Sequence, residues 1–337
     1  MSLQVAKTNG QASLVFRDLS GSKRRIILDK NTHLGRVPFP EHRSPRELPP
    51  VFKKAQIAVL VENDGHISRN HALLVREDEQ WVLHDLNSLN GTRVNGESLP
   101  RGGERTLRSG DIIKIAHTPL VFSPHEGEIE NFALLVGNPG FPPLRGIEND
   151  IDSMQDVLSD RKNFPGNVST LSRDKATREA ILNMLESFAL IATNESSFVF
   201  YYAGHGGITG LSVFDGTLTP KDLYSRLVNI RGKKLVLLDS CHSSVFLDGR
   251  SSNTLVISGE SPKGHLYEGP VSTMLSDGYY VQGYLTRAFI KLLRGNSGRI
   301  NLKEIAAELE KYHKLRLHDV GVAVEGSTFS ITSAIER

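Results

Sequence analysis

The sequence predicts two domains, an all-β sandwich followed by an α/β domain on a mostly parallel sheet, because its apolar periodicity changes once, near residue 131. Before that point apolar residues come in short runs broken by polar turns, the pattern of a sandwich. Beyond it, strand-like runs alternate with segments of helical spacing, which implies a parallel sheet covered on both faces. The length of 337 residues agrees with two domains at roughly 150 residues each.

In the first half the runs Ala12–Phe16, Ile57–Val61, His71–Val75 and Gln80–His84 read as strands. Asn90-Gly91 and Asn95-Gly96 supply the positive φ of tight turns on either side of Thr92–Val94. Lys23, Arg24 and Arg25 read as a solvated strand end, and the prolines 38, 40, 45, 49 and 50 mark an irregular insertion. Residues 1–123 are expected to form the first domain, 124–131 a linker and 132–337 the second domain. The linker is placed where Ser123-Pro-His-Glu-Gly-Glu-Ile-Glu130 combines turn formers with acidic residues and no periodicity.

The second half opens on the run Phe132–Gly137. Helices are expected from the spacing of Ile147, Ile151, Met154 and Leu158, and of Ile181, Leu185, Phe188 and Ala192. Strands are expected at 197–203, 234–239 and 254–258, with helices near 219–228, 282–294 and 301–315.

Cys241, the one cysteine of the chain, ends the apolar run Lys234-Leu-Val-Leu-Leu-Asp-Ser-Cys. A run of the same shape, Ser197-Phe-Val-Phe-Tyr-Tyr-Ala-Gly-His, ends at His205, 36 positions earlier (241 − 205). A lone cysteine after a strand is usually a small buried hydrophobe. Two strand ends at the carboxyl edge of one parallel sheet, however, would bring imidazole and thiol together. Histidine could then deprotonate a thiol whose ordinary pKa near 8.5 leaves it mostly inactive. Gly204, Gly206 and Gly207 clear space around the histidine, and the amides of Gly206 and Cys241 are candidate oxyanion donors. His242 is expected to point away from Cys241 on an extended backbone, in a structural or surface role.

Tyr-Ala-Gly-His-Gly followed by Leu-Asp-Ser-Cys-His-Ser resembles the caspase and metacaspase family of cysteine peptidases, with metacaspases the nearer branch. The resemblance extends through Ala133–Gly137, Pro143–Asp150 and the segment from Leu285, and departs at Ser244, where many relatives have glycine. It implies a catalytic set of His205, Cys241 and Gly206. It also implies that Asp150 and Asp239 line the pocket for the residue before the scissile bond, so that cleavage follows arginine or lysine. A carboxylate near the start of a helix also serves the helix dipole, which leaves Asp150 with a plainer role open. Asp152, Asp156 and Asp160 are four apart along a helix and make no chelating loop, so neither metal nor cofactor is expected.

In the first half, Gly35-Arg36, Ile67-Ser-Arg-Asn-His71, Asn87–Gly96 and Gly110–Ile115 occur in an order that resembles the forkhead-associated (FHA) domain. That resemblance implies binding of phosphothreonine peptides through Arg36, Ser68, Arg69 and Asn90, with His71 bracing its own loop. The chemistry is apt, since a phosphate calls for a guanidinium fork and hydroxyl or amide donors.

A net charge of +2, with 39% hydrophobic and 23% charged residues, gives no strong field for nucleic acid or membrane. A single cysteine excludes an internal disulfide, and no run reaches the ~18 apolar residues of a membrane span. The expected location is cytoplasmic. The expected partners are a protein or peptide substrate and a phosphothreonine-containing protein. The rival reading is a phosphothreonine-dependent adaptor whose caspase-like domain is inactive.

Overall fold

The short apolar runs of the first half become eleven strands among the described residues. The structure, a computed structural model, describes residues 12–17, 22–29, 31–36, 56–59, 66–78, 80–108, 110–116, 118–123, 131–159, 167–249, 251, 253–260, 268–275, 278–295, 299–301, 316–317 and 328–330. The chain divides into two units, Met1–Glu128 and Ile129–Arg337. The expected linker lies outside the described residues except for Asn131, which belongs to a strand. The five prolines of the insertion and the helix expected at 301–315 also lie outside them, apart from Asn301.

In the first unit the strands are β1 (Ala12–Arg17), β2 (Lys23–Leu28), β3 (Thr32–Gly35), β4 (Gln56–Val59), β5 (Ala72–Glu77), β6 (Gln80–Asp85), β7 (Thr92–Val94), β8 (Glu97–Ser98), β9 (Glu104–Thr106), β10 (Ile112–Ile115) and β11 (Thr118–Ser123). They form two sheets, ordered β2-β1-β11-β10-β7-β8 and β4-β3-β5-β6-β9. Leu14, Leu28, Ile113 and Phe122 of the first sheet share one core with Leu34, Leu74, Trp81 and Leu83 of the second. Alternation decides which side chains enter it, since successive residues of a strand face opposite ways. Asn95 and Gly96 have φ of 52° and 83° and join β7 to β8, with Val94 paired to Glu97. Two positive-φ residues between paired ends are what a two-residue hairpin requires.

In the second unit the order is β12 (Asn131–Asn138), α1 (Ile147–Ser159), β13 (Asn167–Ser172), α2 (Arg178–Ile191), β14 (Ser197–Gly204), β15 (Gly206–Gly207), β16 (Gly210–Val213), β17 (Gly216–Leu218), α3 (Pro220–Leu227), β18 (Lys233–Asp239), β19 (Thr254–Glu260), β20 (Glu268–Leu275), β21 (Gly278–Gly283) and α4 (Tyr284–Gly295). The main sheet runs β13-β12-β14-β18-β19, all parallel, with Arg316–Leu317 antiparallel at its edge. On one face Val199, Tyr201, Leu235 and Leu237 pack against Ile151, Met154 and Leu158 of α1 and Leu285, Phe289 and Leu293 of α4. On the other, Phe188 of α2 lies between Phe132 and Phe198, with ring centroids 5.6 and 5.4 Å apart. Every residue of β12 and β14 is buried, as expected where helices cover both faces.

The helix starts are written locally. Thr219 caps α3 through a reciprocal box with Asp222, and Pro220 fills the first turn, where its missing N–H costs nothing. Asp222 also accepts from Arg178, whose guanidinium holds its carboxyl well below the usual range and ties α3 to the first residue of α2. Lys234 is buried at the opposite edge from the strand carboxyl ends. Its ammonium donates to the carbonyls of Ile230 (2.7 Å) and Gly232 (3.2 Å), and burial pushes its pKa down to about 8.

Candidate active site and phosphopeptide loops

The register of the central sheet sets the placement of His205 and Cys241. Ala203 pairs with Asp239, an offset (239 − 203) that also separates His205 from Cys241 (241 − 205). Both residues therefore lie just beyond neighbouring strand ends at the same level. Their turns touch: a Cβ added at Gly206 would sit 2.1 Å from the Cys241 carbonyl oxygen and 3.0 Å from Ser240 Oγ. Only glycine permits that approach.

His205 is half-buried and held from its other side. Its Nε2 lies 2.8 Å from the carbonyl oxygen of Pro142, in the loop that follows β12. A carbonyl only accepts, so Nε2 carries the proton and, in the neutral ring, Nδ1 is the basic nitrogen. Gly140 packs on the same ring edge, where an added Cβ would come within 2.5 Å of Cδ2. The sheet order β12-β14-β18 puts this loop on one flank of His205 and Cys241 on the other. Buried Tyr202, whose hydroxyl lies 2.8 Å from the His205 carbonyl, and the Ser212 amide at 2.9 Å fix the backbone below the ring. Asn138 Nδ2 donates to the Ser212 carbonyl, binding the end of β12 into the same network.

Asp150 and Asp239 are brought together against the start of α4. Asp150 accepts from the Gly283 amide (2.9 and 3.2 Å), and Asp239 accepts from the Thr286 amide (2.9 Å) and hydroxyl. A Cβ at Gly283 would meet Oδ2 of Asp239 at 2.3 Å and that of Asp150 at 3.1 Å, so both carboxylates face one glycine. They are 2% and 4% exposed, and these contacts serve the N-terminal turn of α4, a favourable place for negative charge. The Tyr201 hydroxyl lies 2.5 Å from Thr286 Oγ1. Burial, and then the charges of the two aspartates, push its pKa far up, so it remains a donor. Proton-bearing groups thus run from Tyr201 through Thr286 to Asp239.

One sequence expectation is corrected. His242 is not on extended backbone but has φ 53° and ψ 20°, in the left-handed region, and precedes a 3₁₀ turn at Ser243–Phe246. The chain must leave the sheet at once after Cys241, and a single left-handed residue makes that reversal.

In the first unit, three loops meet at one end of the sandwich. The Arg36 amide donates to the Ser68 carbonyl at 3.2 Å, and a Cβ at Gly35 would sit 2.0 Å from the Arg69 carbonyl oxygen. Fully buried His71 accepts the Ser68 amide on Nδ1 and donates from Nε2 to the Gly91 carbonyl, both at 3.1 Å. Burial lowers its pKa against the opposing pull of Gly91 and Asp85, which keeps it in the neutral form this bonding needs. Burial works against ionised Asp85, but donors on Ser88, Thr92 and the Gly102 amide outweigh it and hold the carboxyl below its usual range. Ser68 Oγ accepts from the Leu89 amide (3.0 Å), and Asn90 Nδ2 donates to the His66 carbonyl (2.7 Å). Arg36, Ser68, Arg69 and Asn90 are consequently gathered on one loop cluster, with Arg69 and Asn90 exposed.

A caspase domain model matches residues 130–314, more than half of the chain. The chain belongs to the caspase family. An FHA domain model matches residues 46–116, so that an FHA domain precedes the caspase domain. Arg36 lies before the matched stretch. Over 60 residues the chain is 45% identical to the oxoglutarate dehydrogenase inhibitor of Corynebacterium diphtheriae, covering 18% of this chain and 40% of that protein. It therefore spans well under two thirds of that curated relative. A solved structure titled as an analysis of phosphothreonine-dependent FHA domain interactions is 25% identical, with a TM-score of 0.25, and covers 35% of this chain and 99% of that one. An FHA domain from Chlamydia trachomatis is 22% identical, with a TM-score of 0.26, and covers 34% and 96%.

Sequence reasoning did not find several contributors to the caspase site. The Pro142 carbonyl has no side-chain signal, since any residue could supply it. Gly140 has no side chain to signal its contact with the imidazole. Tyr201 and Tyr202 read as core residues, although a hydroxyl at the end of an all-apolar strand is a sign that a partner waits there. Thr286 and Gly283 became visible only when α4 met the sheet. Among the described residues, no cluster of three or more metal-ligating side chains occurs, and no helix is long and apolar enough to cross a membrane.

Proposed function

We propose that the caspase domain is a cysteine endopeptidase that cleaves after arginine or lysine, and that the FHA domain directs it to phosphothreonine-bearing partners. The observation that carries the catalytic reading is the placement of His205 and Cys241 at matched strand ends, with the His205 Nε2 tied to the Pro142 carbonyl. With that tautomer, Nδ1 takes the thiol proton and Sγ attacks the scissile carbonyl carbon. The oxyanion is received by the amides of Gly206 and Cys241, and loss of a comparable donor costs about 3–4 kcal/mol. His205 then protonates the leaving amine as the C–N bond breaks. Water, deprotonated by the same nitrogen, attacks the thioester and frees the enzyme.

Asp150 and Asp239 support the basic specificity, because two converging buried carboxylates favour a cation and disfavour an acidic side chain. A substrate arginine or lysine would take up contacts that the start of α4 now makes. In the FHA domain, the gathered Ser68, Arg69 and Arg36 offer the hydroxyl and guanidinium donors a phosphate requires. Asn90 would bind the peptide backbone with the amide oxygen that its bond to His66 leaves over. Binding to a multiply phosphorylated scaffold would raise the local concentration of caspase domains.

The test uses internally quenched peptides with Arg, Lys or Asp before the scissile bond, given to the parent protein and to Cys241→Ala. Cysteine-dependent cleavage after Arg and Lys is expected. Preference for Asp overturns the acidic pocket. Phosphopeptide binding without turnover under any activating condition favours an adaptor. Titration with phosphothreonine and threonine peptides should separate the two by at least tenfold, and Arg36→Ala should remove most of the difference.

A further inference from the structure

Among the described residues of the second unit, four large apolar side chains are exposed: Phe141, Ile208, Phe214 and Val228. Single exposed apolar residues are ordinary. Two of these, however, belong to the segments that hold the catalytic imidazole. Phe141, 94% exposed, stands between Gly140, which packs on the His205 ring, and Pro142, whose carbonyl binds Nε2. Ile208, 79% exposed, follows Gly206-Gly207 in the turn from β15 to β16. Both are firmly presented. The Leu144 amide bonds to the Pro139 carbonyl (3.1 Å) and closes the first loop, while Gly206 and Gly207 pair with Leu211 and Gly210 to close the second.

We infer that Phe141 and Ile208 form the subsite for the residue immediately after the scissile bond, and that this subsite selects an apolar side chain there. The inference rests on the proposed peptidase chemistry. When the tetrahedral intermediate collapses, the C–N bond breaks, its electron pair goes to nitrogen, and the proton comes from His205. The leaving amine must therefore lie within hydrogen-bond reach of the imidazole, and the residue that carries it rests over the segments flanking His205. The residue before the bond points elsewhere, toward Asp150 and Asp239 against the start of α4. Two exposed apolar side chains on the backbone segments beside the histidine offer surface that an apolar residue of the substrate would remove from water on binding.

Two matched sets of internally quenched peptides, identical except for Leu, Gly or Asp after the scissile bond, test this with the full chain. The parent protein should cleave the Leu peptide about tenfold better in kcat/KM than the Gly peptide, with most of the difference in KM, and the Asp peptide worst. In Phe141→Ala and in Ile208→Ala the Leu:Gly ratio should fall toward one, with the Gly peptide far less affected than the Leu peptide. Ile208→Ala leaves the Phe141-Pro142 peptide untouched, so agreement of the two variants excludes disturbance of the Pro142 carbonyl. Turnover with a flat preference, or an unchanged ratio in the double variant, overturns this inference alone. No turnover of any peptide by the parent protein overturns the peptidase reading together with it.

Discussion

The two candidate sites are built by opposite means. In the caspase domain, His205 and Cys241 inherit their relation from backbone pairing of β14 with β18, and glycines at 140 and 206 let the turns close up. In the FHA domain the Arg36 amide bonds to the Ser68 carbonyl, and side chains join the other loops: His71 bridges Ser68 to Gly91, Asp85 gathers Ser88, Thr92 and Gly102, and Asn90 reaches His66. The first design separates geometry from stability, since His205 and Cys241 lie at the edge of a sheet whose apolar core does not include them. The second joins the two, because His71 and Asp85, which brace the loops, are themselves buried.

The largest effect should come from Gly206→Ala, whose new Cβ would stand 2.1 Å from the Cys241 carbonyl oxygen. Peptide turnover is expected to drop by at least about 100-fold as the turns bearing His205 and Cys241 move apart, with a far smaller effect on the unfolding midpoint. Loss of activity in step with loss of stability would break the contrast. Asp239→Asn comes next, because Asp239 belongs to both categories. It should weaken cleavage after Arg and Lys about tenfold or more and cost about 1.5–3 kcal/mol through the Thr286 contacts, read by denaturant unfolding.

His71→Ala should lower the stability of the FHA domain by about 1–3 kcal/mol, since the Ser68 amide and Gly91 carbonyl lose their partner. Phosphopeptide affinity should fall with it. Acid should act on the same brace. The folded pKa of His71 lies below the ordinary 6.5, so the unfolded chain takes up the proton first and stability falls as pH drops below about 6.5. Retained binding in a destabilised His71→Ala protein would show that the loops keep their shape unaided.

A remaining effect concerns Lys234, at the opposite end of β18 from Asp239. Its folded pKa of about 8 lies below the ordinary 10.5, so between these values the unfolded state binds more protons and stability rises with pH. Relative to Lys234→Met, the parent protein should gain about 1–3 kcal/mol over that window. A constant difference from pH 7 to 10 would mean that the ammonium, bound to Ile230 and Gly232, stays charged throughout.

How much was legible differs by element. Strand and helix positions in the caspase domain follow from period, because a buried strand admits few polar residues and α1 and α2 each show one apolar stripe. The left-handed His242 was not legible, since the need for a reversal depends on where the sheet ends. Asp150 was legible as a carboxylate near a helix start, but it accepts from the Gly283 amide at the start of another helix, 133 residues away.

The sequence by itself determined the two-part architecture, the residues that line the strand ends and the loop residues of the FHA domain, because local period and residue chemistry carry that information. Tertiary structure decided which nitrogen of His205 is basic, that both aspartates converge on Gly283, and that His71 is buried and neutral. Each of these depends on a backbone group or a desolvated surface contributed from far along the chain, and neither leaves a mark on the local sequence.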